Sequence, residues 1–239
     1  MHIETDIGGS NYFRNTGEVI GHVLSFKGGA YNESVRNDGK MVGDVHLGGG
    51  YDKFDFGRGT LDGTVYGGAG DDHYVVRNKG AIAQENSNEG LDLVSTFVSF
   101  TLGNNVETLS ALGNRDIRLV GNDGVNVVHG NSANNRLSGM GGDDHLDGGA
   151  GKDRLTGGEG VDHFIFSRGD DWEIITDFEI AGAAHDKIFL SDIGNVSSFD
   201  DILVRMEQVA NDVRIDLGHG DHLLIKDVKI GDFGDWHFF

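Results

Sequence analysis

The chain has 239 residues, of which 40 are Gly, with no Pro and no Cys, and 39 acidic against 19 basic side chains give a net charge of −20. Zero Cys excludes a disulfide scaffold and thiolate metal sites, the lack of Pro and of a three-residue Gly period excludes a collagen-like rod, and 37% hydrophobic residues with 14 Phe exclude an intrinsically disordered chain. The acidic balance excludes nucleic acid and an anionic membrane surface as partners and favours cations, and no apolar run approaches the ~18 residues that span a bilayer. The opening residues Met1-His2-Ile3-Glu4-Thr5-Asp6-Ile7-Gly8 carry neither a basic n-region nor an apolar h-region, so no cleaved N-terminal signal peptide is expected.

In chain order, the first elements form a loose repeat. Gly17-Glu18-Val19-Ile20-Gly21-His22-Val23 is echoed by Gly39-Lys40-Met41-Val42-Gly43-Asp44-Val45 and by Gly59-Thr60-Leu61-Asp62-Gly63-Thr64-Val65. Leu47, Phe56, Val65 and Tyr74 follow at nine-residue steps, so residues 1–66 are expected to form solenoid coils with degenerate repeats. Gly67-Gly68-Ala69-Gly70-Asp71-Asp72-His73-Tyr74-Val75 is a well-formed nine-residue unit standing apart. Residues 76–120 lack such units but keep alternating stretches, as in Leu91 to Leu102 and Ile117 to Val120.

From Gly121 five nine-residue units run without a break to Ile165. Position 1 is Gly in each; position 6 is Asn126, Asn135, Asp144, Asp153 and Asp162; position 8 is Val128, Leu137, Leu146, Leu155 and Phe164. Three columns of different chemistry in register mark a true repeat, and its pattern is Gly-Gly-x-Gly-x-Asp-x-U-x with U a large apolar residue. After Phe166, Glu173–Phe178 and His185–Ser191 read as short strands around a turn. Ser197-Ser198-Phe199-Asp200 caps a short helix expected to run to about Glu207. Asp212–Leu217 and His222–Lys226 read as a hairpin across the turn Gly218–Asp221, and an acidic-aromatic tail ends at Phe238-Phe239.

Residues 7–9 of a unit make a minimal strand in which only position 8 points inward, and two units complete one coil, so residue i lies over residue i+18. Asp144 then lies over Asp162, Asn135 over Asp153 and Asn126 over Asp144, about 4.8 Å apart. Carboxylates so close repel by roughly 1 kcal/mol in water and by several times that near a protein surface. A shared divalent ion removes the repulsion. Calcium takes 6–8 oxygens and accepts backbone carbonyls, whereas magnesium demands a tighter octahedron.

These units resemble the RTX, or haemolysin-type calcium-binding, nonapeptide family, and residues 67–166 are similar to a composite module of secreted RTX proteins in which Asn88-Glu89-Gly90-Leu91-Asp92 and Asn105-Val106-Glu107-Thr108-Leu109 link the units. The segments around Asp177-Phe178 and Asp186–Ser191 resemble the serralysin-type C-terminal region, and residues 121–239 are similar to the R-modules of alginate epimerases. The resemblance implies an all-β, right-handed parallel β-roll (a β-solenoid) over 67–166, with a C-terminal β-rich cap and type I secretion signal region over 167–239. It implies several Ca2+ ions held by Asp144, Asp153 and Asp162 with carbonyls of Gly142, Gly149, Gly151, Gly158 and Gly160. Asp72 and Gly70 match in the isolated unit, opposite Asp52, and Asp171, 18 residues past Asp153, is placed to close the last site. Asn126 and Asn135 stand where Asp is usual, Ala133 and Met140 where Gly is usual, so the first two units are expected to bind weakly and about three sites in the run to bind well.

Coils this small bury few apolar side chains, so metal binding becomes folding free energy. An extracellular calcium module works at on the order of 10⁻⁴–10⁻³ M, which keeps the chain unfolded inside the cell for the type I secretion apparatus and folds it outside. His73, His145 and His163, all at position 7, are expected to be strand-surface residues. No His-Glu-x-x-His or Gly-x-Ser-x-Gly motif occurs, so a non-catalytic extracellular role is expected, in association with an acidic polysaccharide or a cell surface. The competing expectation is the C-terminal calcium-binding and secretion module of an extracellular hydrolase or polysaccharide epimerase.

Overall fold

The structure is a computed structural model that describes residues 11–81, 83–181, 185–194 and 196–238; the opening octapeptide and Phe239 lie outside the described residues. The chain divides into two compact units, one ending at Ser110 and the other starting at Ala111.

The N-terminal unit is built from two parallel sheets visited alternately by the chain. One sheet holds Asn11–Asn15, Glu33–Asn37, Lys53–Asp55, His73–Val76 and Leu93–Thr96 in that order; the other holds Glu18–Ala30, Lys40–Gly49, Val65–Ala69 and Ala83–Gln84, with Thr60–Asp62 also paired to Lys40–Gly49. In the first sheet Val35, Phe54, Tyr74 and Val94 stack in register, all buried. In the second, Val19 pairs with Met41 and Met41 with Leu61, so the loose repeat of the first third is a set of stacked rungs. Alternation turns one side chain in two inward, and the nine-residue steps of Leu47, Phe56, Val65 and Tyr74 place all four in the core.

The C-terminal unit repeats the plan. Val127–His129, His145–Asp147, His163–Ser167 and Lys187–Ser191 form one parallel run, and Arg118–Val120, Arg136–Gly141, Lys152–Glu159, Trp172–Ile175 and Asp221–Ile225 the other. The position-8 column is the core: Val128, Leu146, Phe164 and Ile188 stack on one side, and Leu119, Leu137, Leu155, Ile175 and Ile225 on the other, each at most 2% exposed. Expectation and structure agree on an all-β solenoid with parallel sheets and very little helix.

The second run ends in antiparallel strands. Asp221–Ile225 pairs antiparallel with Asp212–Gly218, which pairs antiparallel with Met206–Val209. Arg168 holds this end by donating to Asp221 at 2.8 Å and to the Gly218 carbonyl at 3.0 Å. The helix is shorter than expected. Ser198 caps it by accepting from the Asp201 N–H, but it spans only Phe199–Leu203. Residues 206–209 leave the helix because a strand there gains a ladder with Asp212–Gly218, and the Gln208 amide locks the turn by donating to the Asp212 carbonyl at 2.9 Å and the Val228 carbonyl at 3.1 Å.

The turns carry the one backbone departure that the repeat exposes. At position 2, Gly149 and Gly158 have φ of 74° and 117°, and Met140, at the same position, is held at 93°. A side chain there is strained, and Met140 stacks directly on Gly158. Met140→Gly is expected to stabilise the calcium-loaded chain by about 1 kcal/mol, less the entropy that the added glycine gains when unfolded, measured by denaturant unfolding. A loss of stability would show that the methionine packs more favourably than its backbone is strained.

Candidate metal centre

Two acidic columns run along the turns of the C-terminal unit. In the first, the Asn126 N–H donates to Asp144 Oδ1 at 2.7 Å, the Asp144 N–H to Asp162 Oδ1 at 3.0 Å and the Asp162 N–H to Asp186 Oδ1 at 2.9 Å. All four side chains are buried. Asp186 ends the column satisfied, because its other oxygen accepts from the Glu179 N–H at 2.7 Å. Asp144 Oδ2 and Asp162 Oδ2 are buried with no hydrogen-bond partner.

In the second column the Asn135 N–H donates to Asp153 Oδ1 at 2.6 Å, and Asp153 Oδ2 again has no partner. Asp153 pairs in register with Glu173, a fully buried carboxylate with neither oxygen partnered. The expectation that Asp171 stands over Asp153 is therefore corrected. The coil after Phe166 advances by 20 residues instead of 18, the Trp172 N–H bonds the Gly151 carbonyl at 2.9 Å, and Asp171 is left exposed beside it.

The turn glycines complete the cradle. Gly142, Gly149, Gly151, Gly158 and Gly160 all have positive φ, from 74° to 130°. The second unit reveals what their carbonyls face. There the Asn135 Nδ2 donates to the Ala133 carbonyl, at position 4, at 2.6 Å, and to the Asn131 carbonyl, at position 2, at 3.4 Å. An amide N–H group thus occupies, in the Asn unit, the space that Asp units leave between turn carbonyls and an unpartnered carboxylate oxygen. The Asn126 side chain likewise donates to the Val125 carbonyl at 3.2 Å.

The N-terminal unit carries a column of the same design that sequence reasoning saw only in part. Backbone N–H groups of Glu33, Asp52, Asp72 and Asp92 donate in turn to Asp52 (2.7 Å), Asp72 (2.7 Å), Asp92 (2.8 Å) and Glu107 (2.8 Å). Asp52, Asp72 and Asp92 each keep one buried oxygen without a partner, and Glu33 keeps two. Glu85 lies beside them, accepting from the N–H groups of Gly67 (3.0 Å) and Gly68 (3.1 Å) and from the Tyr74 hydroxyl. Oxygens of Asp72, Glu85 and Asp92 lie within 4.8 Å of one another, with Gly70 at φ 126° in the adjoining turn. Asp92 and Asp186 were legible as the residues before strands that pair with His73–Val76 and His163–Ser167, at steps of 20 and 24 residues; the nine-residue template passed over both.

The histidines stay out of these clusters. His145 and His163 stack edge-to-face at 4.5 Å on the strand surface, and His73 bonds the Ser95 hydroxyl at 2.9 Å.

Burial raises the carboxyls above the usual value of 3.8 for Asp, and neighbouring negative charge adds to it. Asp144 and Asp153 are pushed up to about 7 and Asp162 to about 6. In the other column Asp52 is pushed up to about 8, Asp72 to about 7 and Asp92 to about 6, and Glu85 to about 8. Glu173 is held well above the ordinary Glu value by burial and then by Asp170, Asp153 and Asp147. Hard oxygens, positive-φ turns and unpartnered buried carboxylate oxygens fit calcium, whose two charges would neutralise the columns.

A family model for the RTX calcium-binding nonapeptide repeat matches the chain in four copies, over residues 62–75, 120–155 and 139–173. The chain carries RTX calcium-binding nonapeptide repeats over these residues. Two curated proteins of Rhizobium meliloti (strain 1021) are similar to it. Endo-1,3-1,4-beta-glycanase ExsH is 41% identical over 169 residues, and endo-1,3-1,4-beta-glycanase EglC 36% identical over 170 residues. Each alignment takes in 71% of this chain and 33% of the relative, so the chain spans about a third of the length of these relatives. Among solved structures, the extracellular lipase LipA from Serratia marcescens aligns over 99% of this chain and 42% of its own at 16% identity, with a TM-score of 0.36, too slight a likeness to bear on function.

Two outcomes are expected of the RTX columns. Without calcium, the raised carboxyls bind more protons folded than unfolded, so the stability they contribute is full below about pH 4 and is lost as pH rises from there through about 6 to 8. With calcium the trend reverses, because protons compete for the same oxygens; thermal melts in EGTA and in millimolar calcium across this range check both signs. Asp153→Ala is expected to raise the calcium midpoint of folding about tenfold, while Asn126→Ala leaves it within about twofold. Equal midpoints would mean that the Asn and Asp units are equivalent.

Proposed function

We propose that the chain is a secreted, non-catalytic calcium-binding β-roll that folds on meeting Ca2+ outside the cell and there associates with extracellular polysaccharide or a cell surface. The observation that carries the calcium part is the set of buried aspartates Asp52, Asp72, Asp92, Asp144, Asp153 and Asp162, each with one oxygen on a backbone N–H and the other on nothing. Burying such charge without a counter-ion is strongly unfavourable, so the folded state is coupled to the cation. Asp144, Asp153 and Asp162, with the carbonyls of Gly142, Gly149, Gly151, Gly158 and Gly160, would hold it in the C-terminal unit, and Glu173 takes the closing place expected of Asp171. In the N-terminal unit Asp52, Asp72, Asp92 and Glu85 would do so, beside Gly70. Bound calcium supplies positive charge; the chain supplies the oxygens and the register that aligns them.

Export and location follow from the same coupling. A chain that is unfolded at cytosolic calcium suits the type I secretion apparatus, and no helix among the described residues is long and apolar enough to cross a membrane. The name of the relatives, endo-1,3-1,4-beta-glycanase, points toward a glycan as the surface met outside.

A second reading is favoured by the extent of those alignments. With about a third of each relative matched, the chain also suits the role of calcium-binding and secretion module of an extracellular hydrolase or polysaccharide epimerase.

Circular dichroism during calcium titration is expected to show a gain of β signal at or below millimolar calcium, reversed by EGTA and not reproduced by magnesium. Absence of a calcium-specific gain defeats the proposal. Incubation of the folded chain with mixed-linkage β-glucan, alginate and casein is expected to give no turnover; cleavage or epimerisation that tracks the purified protein would replace the non-catalytic reading with an enzymatic one.

A further inference from the structure

The calcium columns are built from oxygen. The outward face of the strands that follow Asp144 and Asp162 offers nitrogen. Val128, Leu146 and Phe164 are buried in the core, so the residues on either side of each point out. The register places Val127, His145, His163 and Lys187 in one outward row and His129, Asp147, Ile165 and Phe189 in the next. Three histidines and an aspartate thus share one face over three successive rungs, each of the four half-buried.

His73 occupies the same position in its own nine-residue unit, and its ring bonds the Ser95 hydroxyl at 2.9 Å. The rings of His145 and His163 make no hydrogen bond among the described residues, and His163 Nδ1 is buried without a partner. The two rings stand edge-to-face, 4.5 Å between centroids. Beyond His163 the face is closed by the Phe189 ring at 4.9 Å, with Lys187 next in the row. The neighbours left to His163 on the other side are His145 and, diagonally, Asp147. That carboxylate is held in place: its Oδ1 accepts from the Gly149 N–H at 3.0 Å, and its Oδ2 lies 3.5 Å from His129 Nδ1.

We infer that His145 and His163, with Asp147 as third ligand, form a second kind of metal site, one for a transition-metal ion of the zinc or copper class. Neutral imidazole suits these ions, whereas calcium takes oxygen ligands. In-register neighbours on adjacent strands lie about 4.8 Å apart and diagonal neighbours about 7–8 Å, spans that two imidazoles and a carboxylate can close onto one ion. His129 pairs with the same carboxylate and positions it from outside, as groups behind metal ligands do. The strongly acidic chain draws cations to its surface, and Lys187 is the one opposing charge in the row. The stacking itself comes from the rungs that carry the aspartates: the His145 N–H donates to the Asn126 carbonyl at 2.8 Å and the His163 N–H to the Asp144 carbonyl at 2.7 Å. The nitrogen site therefore exists only in the folded register and rests on the calcium-coupled folding proposed above, with calcium binding first and the transition metal second.

The test uses the whole chain in saturating calcium, which fills the oxygen sites. Zn2+ is titrated by calorimetry into wild type, His145→Ala, His163→Ala, Asp147→Asn and, as a control, His46→Ala, whose ring stacks on Tyr66 in the N-terminal unit. Wild type and H46A are expected to bind one Zn2+ alike. H145A and H163A are each expected to lose about tenfold or more in affinity, and D147N about tenfold. With Cu2+ in place of Zn2+, electron paramagnetic resonance is expected to show two nitrogen ligands in wild type and one in H145A. Wild type stripped of calcium is expected to lose the site. Dichroism and calcium midpoints report whether each variant folds; should H163A fold poorly, the milder H163Q is titrated in its place. Unchanged Zn2+ affinity in H145A and H163A overturns the inference, and so does an equal loss in H46A or no Zn2+ binding by the calcium-folded chain; each leaves the calcium reading standing. Zn2+ bound as tightly by the unfolded, calcium-free chain also overturns it, since the stacked register is then not what binds. A chain that calcium does not fold overturns the calcium reading and this inference with it.

Discussion

Everything in this protein depends on carboxylates that the backbone half-satisfies. In each column a main-chain N–H from one rung takes the first oxygen of the acid on the next, and this bond sets the acid's orientation as firmly as it sets the spacing of the rungs. The second oxygen is then turned into the space between turn carbonyls, buried, with nothing to accept from. A protein can tolerate such a group by protonating it or by adding a cation, and the raised carboxyl values express the first route in the absence of the second. The asparagine units show a third: their amide hydrogens fill the same space without any ion.

The two units reach this arrangement with different periods. In the C-terminal unit the rungs are mostly 18 residues apart, made of two short units with glycine at the tight positions. In the N-terminal unit the steps from Asp52 to Asp72 to Asp92 are 20 residues, and the loops are correspondingly longer. What is kept is the pairing of the strand that follows each acid, since parallel pairing of Lys53, His73 and Leu93 puts the preceding aspartates one above another whatever the loop between them does. Glu85 is reached from the opposite sheet, and the Tyr74 hydroxyl that meets it comes from the core column.

Charge is sorted by position on the rung. Acids gather at the turns, where glycine carbonyls can share a cation with them. Arg118, Arg136 and Arg154 gather in the middle of one sheet face, where strand pairing spaces them evenly and the side chains reach solvent. In the N-terminal unit Asp38 and Asp55 pair with Arg36 and Arg77, and in the C-terminal unit Asp221 pairs with Arg168 and Glu207 with Arg214. The net charge alone therefore says little about what each face of the molecule attracts.

The repeat by itself determined the solenoid, the inward column from Val128 to Phe164, and the stacking of Asp144 on Asp162 and of Asn135 on Asp153, because a period of two nine-residue units leaves no freedom in which residues lie above one another. It also separated the Asn from the Asp units, since that difference is chemical and local. Only tertiary structure decided where the period breaks: Glu173 in place of Asp171, Asp186 as the end of its column, Asp92 and Glu85 beside Asp72, and a strand at Met206–Val209 where a longer helix was expected. Each of these follows from strand register across an insertion, a quantity set by which backbone groups find partners in space. A count of residues along the chain carries no information about it once the loop lengths cease to be equal.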